Sequence, residues 1–215
     1  MREEFHAQLS ELRAQLGDMC DLAAAAMRSA TVAVLAADAD LASQVLAGDT
    51  ELDRARDRCE ETAQQLLVLQ APVAGDLRLV LTAVYCTDKI ERMGDLAAHV
   101  ADAVRLTHPD RPVPGELEEE FARLGRITVD MAERLAELVR HPHECGFAEL
   151  KETDRTVDAL HANVMATITD PGWPHGVPSA MSVALLARYH ERFADQAVSV
   201  ARRLDFAITG QVPAS

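Results

Sequence analysis

Aromatic residues are scarce in this chain of 215 residues: they make up 4% of it, with one Trp and two Tyr, although hydrophobic residues reach 48%. The apolar content is therefore mostly Ala, Leu and Val, which suits closely spaced helices better than a β-sandwich. Cations are also in deficit, with 21 Lys and Arg against 35 Asp and Glu, a formal net charge of -14. That charge repels nucleic acid and anionic membrane surfaces at long range, so contact with a membrane is expected only through partners. Metal ions and basic protein patches are the favoured partners. Paired cysteines are missing too. Cys20, Cys59, Cys86 and Cys145 stand far apart without a Cys-x-x-Cys, and are expected to act as small hydrophobes within helices. No basic region followed by an apolar one opens the chain, and no apolar run approaches the roughly 18 residues of a transmembrane helix. A soluble cytoplasmic protein with free thiols is expected.

Catalytic signatures are equally lacking. There is no Gly-rich phosphate loop, no Gly-x-Ser-x-Gly elbow and no His-Glu-x-x-His. The Glu-x-x-His of ferritin-like di-iron bundles occurs only as Glu3-Glu-Phe-His6 at the N-terminus. The chain is expected not to be an enzyme.

Helical periodicity fills the rest. Proline cannot sit inside a helix without losing a hydrogen bond and clashing with the preceding turn. Breaks are therefore expected at Pro72, at Pro109 to Pro114, at Pro142, at Pro171 to Pro178 and, in the tail, at Pro213. Asp38 in DADL is an N-cap that divides the long first segment. The spacing predicts an all-α fold of six helices over 2–37, 40–70, 75–107, 116–140, 146–169 and 179–209. Gly48 inside the second helix costs about 1 kcal/mol relative to Ala, and a break at Gly48-Asp49 is the alternative there.

The helices fall into three and three around the Pro-rich stretch, giving a first repeat over 1–110 and a second over 111–215. The third helix of each half carries the same phrase, ERMGD at 91–95 and ERFAD at 191–195. The second helices match as well, with Asp49 and Asp53 answered by Asp154 and Asp158. Two tandem, pseudo-symmetric three-helix bundles account for this pattern.

Residues four apart share a helix face, so Asp49/Asp53, Glu91/Asp95, Asp154/Asp158 and Glu191/Asp195 each set two carboxylates side by side. Like charges so spaced destabilise an isolated helix by about 0.2–0.5 kcal/mol per pair. A cation held between the second and third helices of each half would offset that repulsion. Glu116/Glu120 and Glu133/Glu137 share the spacing without a counterpart and are read as solvated faces. In the first half Asp88, His99 and Asp102 extend the stripe, and a His nitrogen shifts preference toward iron, zinc or nickel. In the second half Ser199 takes the place of His99, while His161 follows Asp158 by three residues. Arg92, four residues after Asp88, is expected to pair with it. His190 and Gln196 are read as packing or surface positions. A metal store or metal-dependent bundle is one function compatible with these features; a non-enzymatic regulator is the other.

The stretch QAPVAGDLRLVLTAVYCTDKIERMGDLAAHVAD resembles the most recognisable segment of the PhoU family of phosphate-uptake regulators, and ARYHERFADQAVSVARRLDFAITG resembles the matching helix of its second repeat. The resemblance implies two three-helix bundles and metal clusters on Glu/Asp-x-x-x-Asp motifs. It assigns Asp49, Asp53, Glu91 and Asp95, with Asp88 as an addition, to one cluster, and Asp154, Asp158, Glu191 and Asp195 to the other. Iron or zinc are the foremost metals, with magnesium, manganese and nickel as alternatives. The sequence departs from the family at Ala194, usually Gly, and at Gln196, often His, so the first cluster is expected to be the firmer. The resemblance also implies negative regulation of phosphate uptake and phosphate-starvation signalling. The implied partners are the ATPase subunit of the phosphate ABC transporter and a phosphate sensor histidine kinase. A homodimer through an apolar outer helical stripe is a further expectation.

Overall fold

A computed structural model describes residues 2–211; Pro213 and the end of the second repeat lie outside them, as do the side chains of residues 2 and 3. The helices are α1 (Arg2–Ala36), α2 (Ala39–Gln70), α3 (Ala74–Thr107), α4 (Glu118–Arg140), α5 (Gly146–Ile168) and α6 (Gly176–Thr209), with one 3-10 turn at Gly115–Leu117. Among the described residues there is no strand, as the composition leads one to expect.

Local chemistry sets most boundaries. Asp38 Oδ1 accepts the backbone N–H groups of Asp40 at 3.0 Å and Leu41 at 2.9 Å, which starts α2. Ala71 ends it in the left-handed conformation, φ 43, just before Pro72. Gly48 does not interrupt α2. α6 begins three residues earlier than the prolines suggest, because Pro178 occupies its first turn, where no backbone N–H has an intrahelical partner to lose.

α1 packs on α2 and α3 within the first half and on α4 of the second; α3 packs equally broadly on α6. Both cross-half pairs run antiparallel. Gly17 meets Arg140 and Arg28 meets Glu133 along α1 and α4, while Tyr85 meets Arg203 and His99 meets Tyr189 along α3 and α6. α1, α3, α4 and α6 therefore make the centre of the molecule. α2 rests outside on α1 and α3, and α5 outside on α4 and α6.

One continuous hydrophobic core runs through both halves, from Leu12, Met19 and Met27 through Ile90 and Leu96 to Phe121, Met131, Leu186 and Phe193. Its many fully buried alanines, including Ala23, Ala97, Ala101, Ala194 and Ala201, allow close helix approach, which explains how so few aromatics suffice. By length and composition α1 passes for a membrane span, yet half of its apolar stretch is buried against other helices. Cys20, Cys59 and Cys86 are buried core residues as expected, whereas Cys145 is exposed and lies just before α5 rather than within a helix. On α6, Val177, Met181 and Leu185 form an exposed apolar stripe.

Candidate functional site

The acidic residues of α2 and α3 face one another. Asp49 and Asp53 on α2, and Glu91 and Asp95 on α3, are all half-buried. Burial raises the Asp49 carboxyl above its usual range, and Asp95 and Asp53 push it further in the same direction. Glu91 is likewise raised, first by burial and then by Asp95, while Arg56 opposes the shift. Gly94 makes this proximity attainable: the position of a Cβ there lies 3.6 Å from Asp49 Oδ1 and is already filled by Leu52.

This first quartet carries its own countercharge. Arg56 Nη1 donates to Glu91 Oε1 at 3.3 Å across the helix interface and stands 3.8 Å from Asp53 Oδ1. The same guanidinium reaches Asp57 at 3.5 Å and Glu60 at 4.0 Å. Arg92 pairs with Asp95, Nη1 to Oδ2 2.7 Å, and not with Asp88, which is exposed and outside the quartet. The four-residue spacing to Asp88 is sound, but Asp95 lies three residues away on the more buried side, where a pair is less screened. The His99 Nδ1 lies 2.6 Å from the Asp95 carbonyl oxygen and its ring packs against Tyr189 with centroids 5.2 Å apart, while its charge, when protonated, opposes the upward shift of Asp49. Asp102 pairs with Arg105.

The second quartet, between α5 and α6, is differently balanced. Asp154 is half-buried; burial, then Asp158, Asp195 and Glu191, raise its carboxyl to about 6. Glu191 and Asp195 are also raised, first by burial. Glu191 has only 12% of its side chain exposed and pairs through Oε1 with Arg188 of its own helix. Its Oε2 is buried without a hydrogen-bond partner, as is Asp154 Oδ1. Asp158 is more exposed, and His161, one turn on, is close enough to oppose the shift of Glu191.

The eight acidic residues thus lie near one another in two groups, one between α2 and α3 and one between α5 and α6, and Asp88 stands apart. Among the described residues, no three His, Cys, Asp or Glu side chains converge tightly enough to coordinate one ion as they stand. Spacing along the chain did not disclose the cross-helix pairing of Arg56 with Glu91, and the pairing of Arg188 with Glu191 within α6 was also missed, although its three-residue spacing could have found it. His190 proves to be a core residue, fully buried edge-on to Phe121, with its ring 3.4 Å from the Thr128 hydroxyl. The solvated-face reading holds for Glu133, paired with Arg28 at the surface, and for Glu116, paired with His175.

The family model described as the PhoU domain matches this chain twice, over residues 16–104 and 121–204. The "Phosphate-specific transport system accessory protein PhoU homolog 2" of Mycobacterium tuberculosis is 45% identical over 213 residues, covering 99% of this chain and 100% of that protein. "PhoU homolog 1" of Mycobacterium leprae is 45% identical over 215 residues, with 99% and 96% covered. The crystal structure of the phosphate transport system regulatory protein PhoU from Streptococcus pneumoniae superimposes with TM-score 0.87 at 22% identity, covering 98% of this chain and 100% of that one. That of PhoU from Pseudomonas aeruginosa gives TM-score 0.85 at 23% identity, with 96% and 100% covered. At these identities the two structures establish a shared fold.

Proposed function

Since the chain belongs to the PhoU family, we propose that it is an accessory protein of a phosphate transport system, a non-enzymatic adaptor that restrains uptake and phosphate-starvation signalling when phosphate is plentiful. The observation that supports this proposal is similarity along the whole chain, at 45% identity, to relatives named as accessory proteins of the phosphate-specific transport system. In this reading residues 1–110 and 111–215 act as two repeats. The adaptor works in the cytoplasm and contacts the ATPase subunit of the phosphate ABC transporter and the phosphate sensor histidine kinase. It meets the membrane only through them, and it does not bind nucleic acid. Self-association through Val177, Met181 and Leu185 belongs to the same proposal and is checked by sedimentation.

Metal binding is the second part of the proposal. The buried, partnerless oxygens of Asp154 and Glu191 fit a cation, since a buried carboxylate oxygen without a donor is costly. Asp49, Asp53, Glu91 and Asp95 would hold an ion between α2 and α3, and Asp154, Asp158, Glu191 and Asp195 one between α5 and α6. A bound iron, zinc, magnesium, manganese or nickel ion would supply positive charge and cross-link the outer helix of each half to the centre. Without it, the chain's own arginines neutralise part of each quartet.

The regulatory proposal is tested with a phosphate-starvation reporter, such as secreted alkaline phosphatase, in a strain lacking this gene and its paralogues and grown in abundant phosphate. The reporter should switch on, and restoring the gene should switch it off. Silence would overturn the regulatory role. Pull-down of the ATPase or the kinase by the purified protein tests the adaptor role.

A further inference from the structure

We propose that the solvent side of the seam between α3 and α6 is the docking surface for an acidic segment of a partner protein. This gives the adaptor a surface to act through and rests on the adaptor reading above.

Two helix faces meet along this seam. Tyr85, Lys89, Arg92 and His99 follow at spacings of four, three and seven, so they share one face of α3. Tyr189, Arg192, Gln196 and Arg203, at three, four and seven, share one face of α6. Contacts at both ends bring the faces together: the Arg203 guanidinium lies 4.6 Å from the centre of the Tyr85 ring, and His99 packs on Tyr189.

The seam reverses the charge of the chain. Acids outnumber Lys and Arg by 35 to 21 overall, yet these positions hold Lys89, Arg92, Arg192 and Arg203 and no acid. Arg92 is paired with Asp95, but among the described residues Lys89, Arg192 and Arg203 form no ion pair. The scarce aromatics gather here as well: both tyrosines of the chain lie on the seam, and Tyr85 is 53% exposed. Tyrosine beside arginine is the composition of a protein interface, the ring giving apolar contact and the guanidinium a planar fork for a carboxylate. Carboxylates border the strip, with exposed Asp88 and half-buried Asp95 on the α2 side and Glu191 on the α5 side. A flat anionic membrane laid on the seam would meet that border and be repelled, whereas one acidic chain segment fits along the strip between its edges.

The first probe is a synthetic, fluorescein-labelled peptide helix with Glu on one face and Leu and Phe on the other, followed by anisotropy as full-length protein is added. The second is pull-down of the purified ATPase subunit and sensor kinase. Arg192→Glu with Arg203→Glu should weaken peptide binding about tenfold or more and remove the pull-down. Arg192→Gln with Arg203→Gln should weaken both less, and keeps the test decisive if the reversed variant fails to fold. Arg123→Glu with Arg126→Glu, at exposed positions of α4, changes the net charge equally and should leave both readouts unchanged. The proposal is overturned if the wild type does not hold the peptide, if the seam variants hold it as well as the wild type, or if the α4 variant loses it equally. Phosphatidylglycerol vesicles held by the wild type and released by the seam variants would give the strip to a membrane, and a lower sedimenting mass of those variants would give it to a second copy; either result overturns the proposal. ATPase and kinase captured undiminished by the seam variants would overturn the strip and leave the adaptor standing. Peptide bound as expected, with neither protein captured by the wild type, would uphold the strip and overturn the adaptor reading.

Discussion

Leu52 of α2 occupies the space that a side chain on Gly94 of α3 would need: a Cβ at Gly94 would stand 2.2 Å from Leu52 Cδ2. At the matching places of the second half are Val157 and Ala194, both fully buried. The smaller branched residue on the outer helix accompanies the larger one on the inner helix.

Gly94→Ala should therefore destabilise the protein. Overpacking costs about 1–3 kcal/mol, offset by about 1 kcal/mol of helix propensity. Adding Leu52→Val should recover most of the loss, reproducing the arrangement of the second half. Urea unfolding of the two single variants and the double variant measures the coupling, and independent effects that simply add would contradict the interlock.

His190 gives a pH dependence of definite sign. Burial holds its ring at about 4, below the ordinary value of 6.5, so the fold requires the neutral form. Above pH 6.5 its contribution is constant; as pH falls from 6.5 to 4 the unfolded chain gains a proton that the folded one resists, and stability drops by up to about 3 kcal/mol. Below 4 the loss levels off. His190→Ile, copying Ile90 of the first half, should flatten that part of the stability curve, read as urea midpoints from pH 4 to 7.

Asp154 acts in the opposite direction. Its carboxyl lies at about 6 in the fold against 3.8 ordinarily, so its ionised form is disfavoured by folding. The metal-free protein should lose stability from this group as pH rises from 3.8 to 6, and the penalty should be fully present above 6. Asp154→Asn should raise the melting temperature of chelator-treated protein at pH 7, with little change at pH 4.

Arg140 at the end of α4 ties the two halves together. Its Nη2 reaches Asp18 at 2.8 Å and Asp21 at 2.6 Å, and its side chain lies across Gly17, the only kind of residue that leaves it room. Arg140→Ala should cost about 1–3 kcal/mol, the scale of charged hydrogen bonds, and Arg140→Lys should recover part of it, because a single nitrogen, Nη2, meets both carboxylates and one ammonium carries donors enough for two. Thermal unfolding of both variants is the check.

Helix number and most boundaries were legible because proline and the Asp38 cap act locally. Pro178 misled because a proline in a first turn is harmless; α2 runs unbroken through Gly48 as expected, because a small propensity cost cannot break a helix whose apolar face is packed along its length. The quartets were legible because the same spacing occurs twice. The choice of Asp95 over Asp88 by Arg92, the reach of Arg56 to α3 and the burial of His190 were not. Spacing fixes which face of a helix a residue occupies, while these depend on what the neighbouring helix brings opposite.

The shared core has a consequence for how such a duplicated chain can change over time. Because α1 joins α4 and α3 joins α6 in one interior, neither copy can be discarded or altered alone at the buried seam. A volume added at one place must be withdrawn at another, as with Ala194 and Val157. On the half-exposed acidic faces no such constraint holds: in the register that matches Asp49 to Asp154, Arg56 stands where the second half has His161. The fold thus keeps its two copies alike where they touch and lets them acquire separate duties where they meet solvent.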